Sequence, residues 1–155
     1  MGYILEVCVD SVESALAAAR GGATRLELSA NLIIGGTTPE PALFREIRKE
    51  TDIPVHVLLR PRFGDFCYTE YEFSMLKEAG TMFRELGAEG AVIGILRPDG
   101  ALDMERMGAL MERAKGMSVT LHRAFDVCRD PHEALEAAIS LGMNTILTSG
   151  QKNAS

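Results

Sequence analysis

Apolar and polar positions alternate in six short runs along this chain, and between those runs the apolar positions recur with the period of a helix. The strand-like runs are Tyr3 to Val9, Arg25 to Leu28, Pro54 to Arg60, Gly90 to Ile95, Ser118 to His122 and Asn144 to Thr148. Between them Val12, Ala15, Leu16 and Ala19 stand at i, i+3, i+4 and i+7, and Met104, Met107, Leu110 and Met111 follow the same rule. Leu43, Phe44 and Ile47 repeat part of it. The order is strand, helix, strand throughout, with one apolar face on each helix to lie against a parallel sheet.

Helix starts are expected where an N-cap acceptor precedes an acid: Asp10 with Glu13, Thr69 with Glu72, and Asp130 followed by Pro131 and Glu133. Ends are expected at Gly21-Gly22, Gly87, Gly116 and Gly142, because glycine takes the left-handed conformation that closes a helix. Strand starts recur about every 28 residues, close to the ~31 of an eight-unit barrel of ~250 residues.

A doubly wound open sheet would satisfy the same alternation, but it is covered on both faces and its strands read as nearly continuous apolar runs. Here Leu5, Val7 and Val9 alternate with Glu6, Cys8 and Asp10, Leu26 and Leu28 flank Glu27, and Val119 and Leu121 alternate with Thr120 and His122. One face is polar, as the inside of a barrel is near its C-terminal mouth. The expected fold is therefore α/β, a (β/α)8 TIM-type barrel of which only the first six βα units are present. Residues 1–155 read as one barrel domain that stops before strands 7 and 8. Six units cannot close an eight-stranded barrel, so a fragment is expected; the other reading is a homo-oligomer whose missing wall comes from another chain.

Composition narrows the function. A chain of 155 residues with 46% hydrophobic residues supports one core, and a net charge of −6 leaves no electrostatic footprint for nucleic acid or anionic lipid. No apolar run approaches the roughly 20 residues of a membrane span, so a cytoplasmic location is expected, without a membrane partner. Cys8, Cys67 and Cys128 lie far apart and form no C-x-x-C, which points to free thiols.

Carrying the polar parity inward brings together Glu6 and Cys8, Glu27, Arg60, His122 and Thr148 from five strands. Two carboxylates, a guanidinium and an imidazole suit a small anionic substrate held by Arg60, with Glu6 or Glu27 as general base and His122 as acid or metal ligand. The bland alternative is that the Glu and Arg side chains neutralise each other in the core. After the third strand, Arg62 and Asp65 stand at the same mouth, as substrate-binding groups or as a surface pair. Asp126 follows His122 by four residues, either to orient it or to cap the next helix. Gly35-Gly36, ahead of an expected N-cap at Thr38 with Pro39 at N1, offers a phosphate loop or a plain turn. His56 reads as a satisfied interior histidine. The methionines of the fourth helix have the softness Cu(I) prefers, but their spacing is that of any helix packed on a sheet.

Leu5-Glu6-Val7-Cys8-Val9-Asp10-Ser11, Gly35-Gly36-Thr37-Thr38-Pro39, Arg60-Pro61-Arg62 with Gly64-Asp65-Phe66, His122-Arg123-Ala124-Phe125-Asp126, and Leu147-Thr148-Ser149-Gly150 occur in the order seen in CutC proteins, and the whole chain resembles that family. The resemblance implies a (β/α)8 barrel longer than this chain, a cytoplasmic protein, a part in copper homeostasis, and copper(I) bound through cysteines near the barrel. The family's first candidate copper ligand carries over to Cys8. The second lies in Glu-Leu-Cys, which here is Glu27-Leu28-Ser29, and a hydroxyl is a poor Cu(I) ligand. Two partners follow as expectations, a copper ion or a small anionic ligand, and two classes of function, metal handling or an enzyme.

Overall fold

The computed structural model describes residues 2–151. Six parallel strands, β1 (Glu6–Val9), β2 (Arg25–Leu28), β3 (Val55–Leu58), β4 (Gly90–Ile93), β5 (Ser118–Leu121) and β6 (Thr145–Ile146), lie side by side in chain order. Helices α1 (Val12–Arg20), α2 (Pro41–Glu50), α3 (Glu70–Glu85), α4 (Met104–Arg113) and α5 (Pro131–Leu141) link them. Strands in sequential order, with a helix after each of the first five, are the first six strands of a (β/α)8 barrel, and β1 and β6 form the two edges of the described sheet. Among the described residues no helix is long and apolar enough to cross a membrane.

The strands are shorter than their apolar runs suggest. Residues Tyr3, Ile4 and Leu5 precede the first ladder and stay exposed, and β6 pairs through only two residues. The parity is as expected: Val9, Leu26, Leu28, Val57, Ala91 and Val119 are buried on the outer face, under the helices. There they meet Ala15, Phe44, Ile47, Leu76, Phe83, Met107 and Leu110. Phe44 and Phe83 pack edge to face, with centroids 5.9 Å apart, an arrangement that contributes roughly 0.5–1.5 kcal/mol beyond the burial itself. Met107 is fully buried on that outer face while Met104 is largely exposed, so the methionine stripe is helix packing.

Two caps differ from expectation. Helix α1 is capped by Ser11, whose hydroxyl accepts from Ser14 N at 3.0 Å, while Asp10 turns to the amide of Leu32. Helix α2 starts at Pro41 after Glu40, because Thr38 is engaged elsewhere: its hydroxyl donates to Arg60 O and accepts from Arg60 N. The caps at Thr69 and Asp130 form as expected, and Gly22, Gly87, Gly116 and Gly142 all have positive φ.

Candidate functional site

Register decides what meets inside the barrel. Cys8 stands opposite Glu27, Glu27 opposite His56, and His56 opposite Gly90, which gives one inward row across four strands. Toward the C-terminal ends of the strands, Ser29 continues the parity of β2, Arg60 that of β3 and His122 that of β5. These residues line a half-open cavity of about 200 Å³ at the mouth, whose polar lining is Cys8, Glu27, Ser29, Arg60, His122 and Arg123. Leu58, Phe66 and Leu147 are among its apolar walls.

Arg60 is 9% exposed, and no carboxylate pairs with it among the described residues. Its Nη1 donates to Gly36 O at 3.1 Å and Gly35 O at 3.4 Å, and its Nη2 to Gly64 O at 2.8 Å. The guanidinium therefore ties the loop after β2 to the loop after β3, sits 5.0 Å from the Phe66 ring, and keeps Nε without a partner. A buried charge whose partners are only carbonyl dipoles is costly, and an anion placed beside it would relieve that cost.

His122 packs beside Phe66, with ring centroids 4.8 Å apart. Burial first and the Arg60 charge second push its pKa down to about 3, so the ring is neutral at ordinary pH. Its Nδ1 accepts from Ala124 N at 3.1 Å, which leaves the ring proton on Nε2, and that atom is buried without a partner. His122 thus has its Nδ1 lone pair taken up and keeps an Nε2–H that is buried and without a protein partner.

Glu27 is 8% exposed; burial first and Glu6 second raise its carboxyl well above the usual carboxylate range, and its Oε2 has no partner. Ser29, 1% exposed, has an equally unpartnered hydroxyl.

Other expected site residues lie elsewhere. Glu6 pairs with Arg25 at 2.5 Å, below the mouth, so the neutralised Glu–Arg reading holds for that pair and not for Arg60. Arg62 is held by Glu72 at 2.8 Å and Asp65 at 3.0 Å, and both Arg62 and Asp65 are outside the cavity lining. Leu147, rather than Thr148, takes the inward position on the sixth strand run, since the register sets His122 beside Leu147. The Thr148 hydroxyl instead donates to Asp126 at 2.5 Å. Among the described residues no hydrogen bond joins Asp126 to His122. Burial would raise its carboxyl, but hydrogen bonds from Arg123, Thr148 and Ser149 hold it far below the usual range, so it pins the loop after β5 to the loop after β6. The amides of Gly35 and Gly36 are used within their own turn, and their carbonyls face Arg60, so this loop is a cradle for the guanidinium and not for phosphate. His56 is interior, as expected, but its Nδ1 is unpartnered. Neither Ser29 nor Phe66 stands out in the sequence as a ligand-binding group. Ser29 follows Glu27 by two residues, so its parity was readable, whereas the placement of Phe66 depends on the course of a loop.

The donors do not fit Cu(I). Cys8 is the one thiol of the lining, and burial, then Glu27 and Glu6, push it up to about 11, away from the thiolate a soft metal needs. Among the described residues no three His, Cys, Asp or Glu side chains are grouped to hold a metal ion.

The CutC family model matches residues 3–155. The family protein CutC of Bacteroides fragilis strain YCH46 is 52% identical over 153 residues, 97% of this chain and 60% of that protein. The human copper homeostasis protein cutC homolog is 46% identical over 149 residues, 96% of this chain and 55% of that protein. The crystal structure of the CutC protein from Streptococcus agalactiae superposes with a TM-score of 0.90 at 31% identity, covering 97% of this chain and 75% of that one. The chain spans about 60% of the length of the Bacteroides relative.

Proposed function

This chain belongs to the CutC family, and on that premise we propose that it serves copper homeostasis in the cytoplasm through a small oxyanionic ligand bound in the mouth cavity. The observation that carries this reading is Arg60, a buried guanidinium with no carboxylate partner and a free Nε, beside two further unpartnered donors, His122 Nε2 and Ser29 Oγ. Four of the buried polar atoms that lack partners belong to residues lining this one cavity. Each such group left unmade costs about 1–3 kcal/mol, which a ligand oxygen would recover. Residues 1–155 are read as one barrel domain, and the edges at β1 and β6 as the surface through which copies would pair as a homo-oligomer.

Calorimetric titration with oxalate and with inorganic phosphate tests it. Binding in the micromolar to millimolar range, weakened at least tenfold in Arg60→Gln and in His122→Gln, is expected. The absence of binding by either anion to the folded protein overturns it.

A second reading rests on Cys8, the thiol of the cavity lining. In it Cu(I) is cargo met at the mouth through one sulfur, not an ion enclosed by the protein. Weak binding that depends on the thiol is its signature.

A further inference from the structure

Two guanidinium groups belong to the cavity lining, and they differ in what they leave free. The end of Arg60 that carries both Nη atoms faces the carbonyls of Gly35, Gly36 and Gly64, and its unpartnered Nε is a buried atom. His122 Nε2 and Ser29 Oγ are buried in the same way. The side chain of Arg123 is 63% exposed, which makes it the cationic group of the lining that an entering anion meets first.

Arg123 is exposed but not loose. Its Nε donates to Asp126 Oδ2 at 2.8 Å and its Nη2 to Ser149 Oγ at 2.8 Å. The Ser149 hydroxyl gives its own hydrogen to Asp126 Oδ2 at 3.0 Å, so the three side chains close a ring. The Asp126 side chain, 6% exposed, is fixed in turn by the Thr148 hydroxyl and the Ser149 amide. A guanidinium held in this way has given up its rotamer freedom before a ligand arrives, which lowers the cost of binding one.

The ring of bonds takes only the Nε–Nη2 edge of Arg123. At the other end Nη1 and Nη2 keep one hydrogen each, side by side and without a partner among the described residues. Two parallel N–H groups match two oxygens on one carbon or phosphorus. Asp126 offsets part of the Arg123 charge, so this fork, more than the charge, is what distinguishes the residue from a lysine in the same place.

We propose that Arg123 is a second anion-binding residue of the cavity, at its solvent-exposed rim, where it clasps two oxygens of a carboxylate or phosphate group, with Ser149 and Asp126 as its positioning residues. This rests on the oxyanion site proposed above and assigns that site its outer contact. The class of ligand is an anion with two oxygens on one centre; a halide meets the fork at a single point and gains less from it.

The test is calorimetric titration with oxalate at fixed ionic strength, with acetate or chloride as competitor and a thermal melt of every variant. Acetate is expected to displace oxalate at lower concentration than chloride does. Arg123→Gln and Arg123→Lys are each expected to weaken oxalate binding at least fivefold, since lysine keeps the charge but loses the fork. Arg129→Gln, in the same loop but outside the lining and paired with Asp99 and Glu133, should leave affinity unchanged. Ser149→Ala should weaken oxalate binding about threefold at an unchanged melting temperature, and Ser149→Thr should restore it. Wild-type affinity in Arg123→Gln or in Arg123→Lys, or chloride competing as well as acetate, overturns the proposal and leaves the site at Arg60 standing. Wild-type affinity in Ser149→Ala overturns the positioning role. Failure of both oxalate and inorganic phosphate to bind the folded wild type removes the oxyanion site itself.

Discussion

The imidazole of His122 packs on Gly94 so closely that a Cβ built at that glycine would lie 2.7 Å from Nδ1. His56 sits on Gly90 in the same way one layer below, where a Cβ would lie 2.5 Å from Nδ1. Gly94→Ala is expected to destabilise the protein by about 1–3 kcal/mol through overpacking and to weaken oxalate binding at least fivefold, because the ring it displaces carries a cavity donor. Gly90→Ala carries a similar stability cost, but His56 is not part of the cavity lining and affinity should change less. Denaturant melts and titrations of the two variants decide the point; equal losses of affinity would detach His122 from binding.

Arg60 and Arg62 are two residues apart and have different duties. Arg60→Lys keeps a charge but cannot span the carbonyls of Gly35, Gly36 and Gly64, so a stability loss of about 1–3 kcal/mol together with weaker anion binding is expected. Arg62→Lys loosens the contacts to Glu72 and Asp65, and should lower the melting temperature slightly with affinity unchanged. A fall in affinity with Arg62→Lys would restore Arg62 as a binding residue.

Copper is expected to bind weakly. A competitive Cu(I) titration should give micromolar or weaker affinity, lost in Cys8→Ala, with oxalate binding nearly unchanged in Cys8→Ser. Nanomolar affinity would mean that further ligands gather around Cys8. Copper binding unaffected by Cys8→Ala would place the metal elsewhere.

The titratable groups of the interior give opposing pH dependences. The His122 pKa is pushed down from 6.5 to about 3, so its contribution is complete above pH 6.5 and is lost as pH falls toward 3. His56, lowered chiefly by burial, acts in the same direction. Glu27 is raised, so it stays protonated in the folded state where the unfolded chain ionises, and stability falls as pH rises through its folded pKa. Between pH 6.5 and 4 the His122 loss is on the order of 3 kcal/mol. The loss should therefore be steeper in Glu27→Gln, which lacks the opposing group, and shallower in His122→Gln, as read from denaturant midpoints across that range.

Much of this architecture follows from local pattern. The six strands and the five helices between them, their outer and inner faces, and the caps at Thr69 and Asp130 are readable because strand parity has a period of two and capping reaches only three residues. The inward placement of Cys8, Glu27, Arg60 and His122 follows from the same parity. Parity loses its hold where the chain leaves the ladder: one residue of register puts Leu147 inside and sends Thr148 to Asp126.

What parity cannot contain is partnership between distant segments. Both Glu6 and Arg60 read as charged inward residues, yet Glu6 is matched by Arg25 on the neighbouring strand while Arg60 meets only carbonyls from two loops. The Nδ1 lone pair of His122 is taken by the amide of Ala124, and the Cys8 thiol is held in its neutral form by burial first and then by Glu27 and Glu6. Residue types and their faces were thus set by the chain's own sequence, whereas charge state, tautomer and free valence were decided by tertiary neighbours, because each depends on burial and on hydrogen-bond partners that no spacing along the chain specifies.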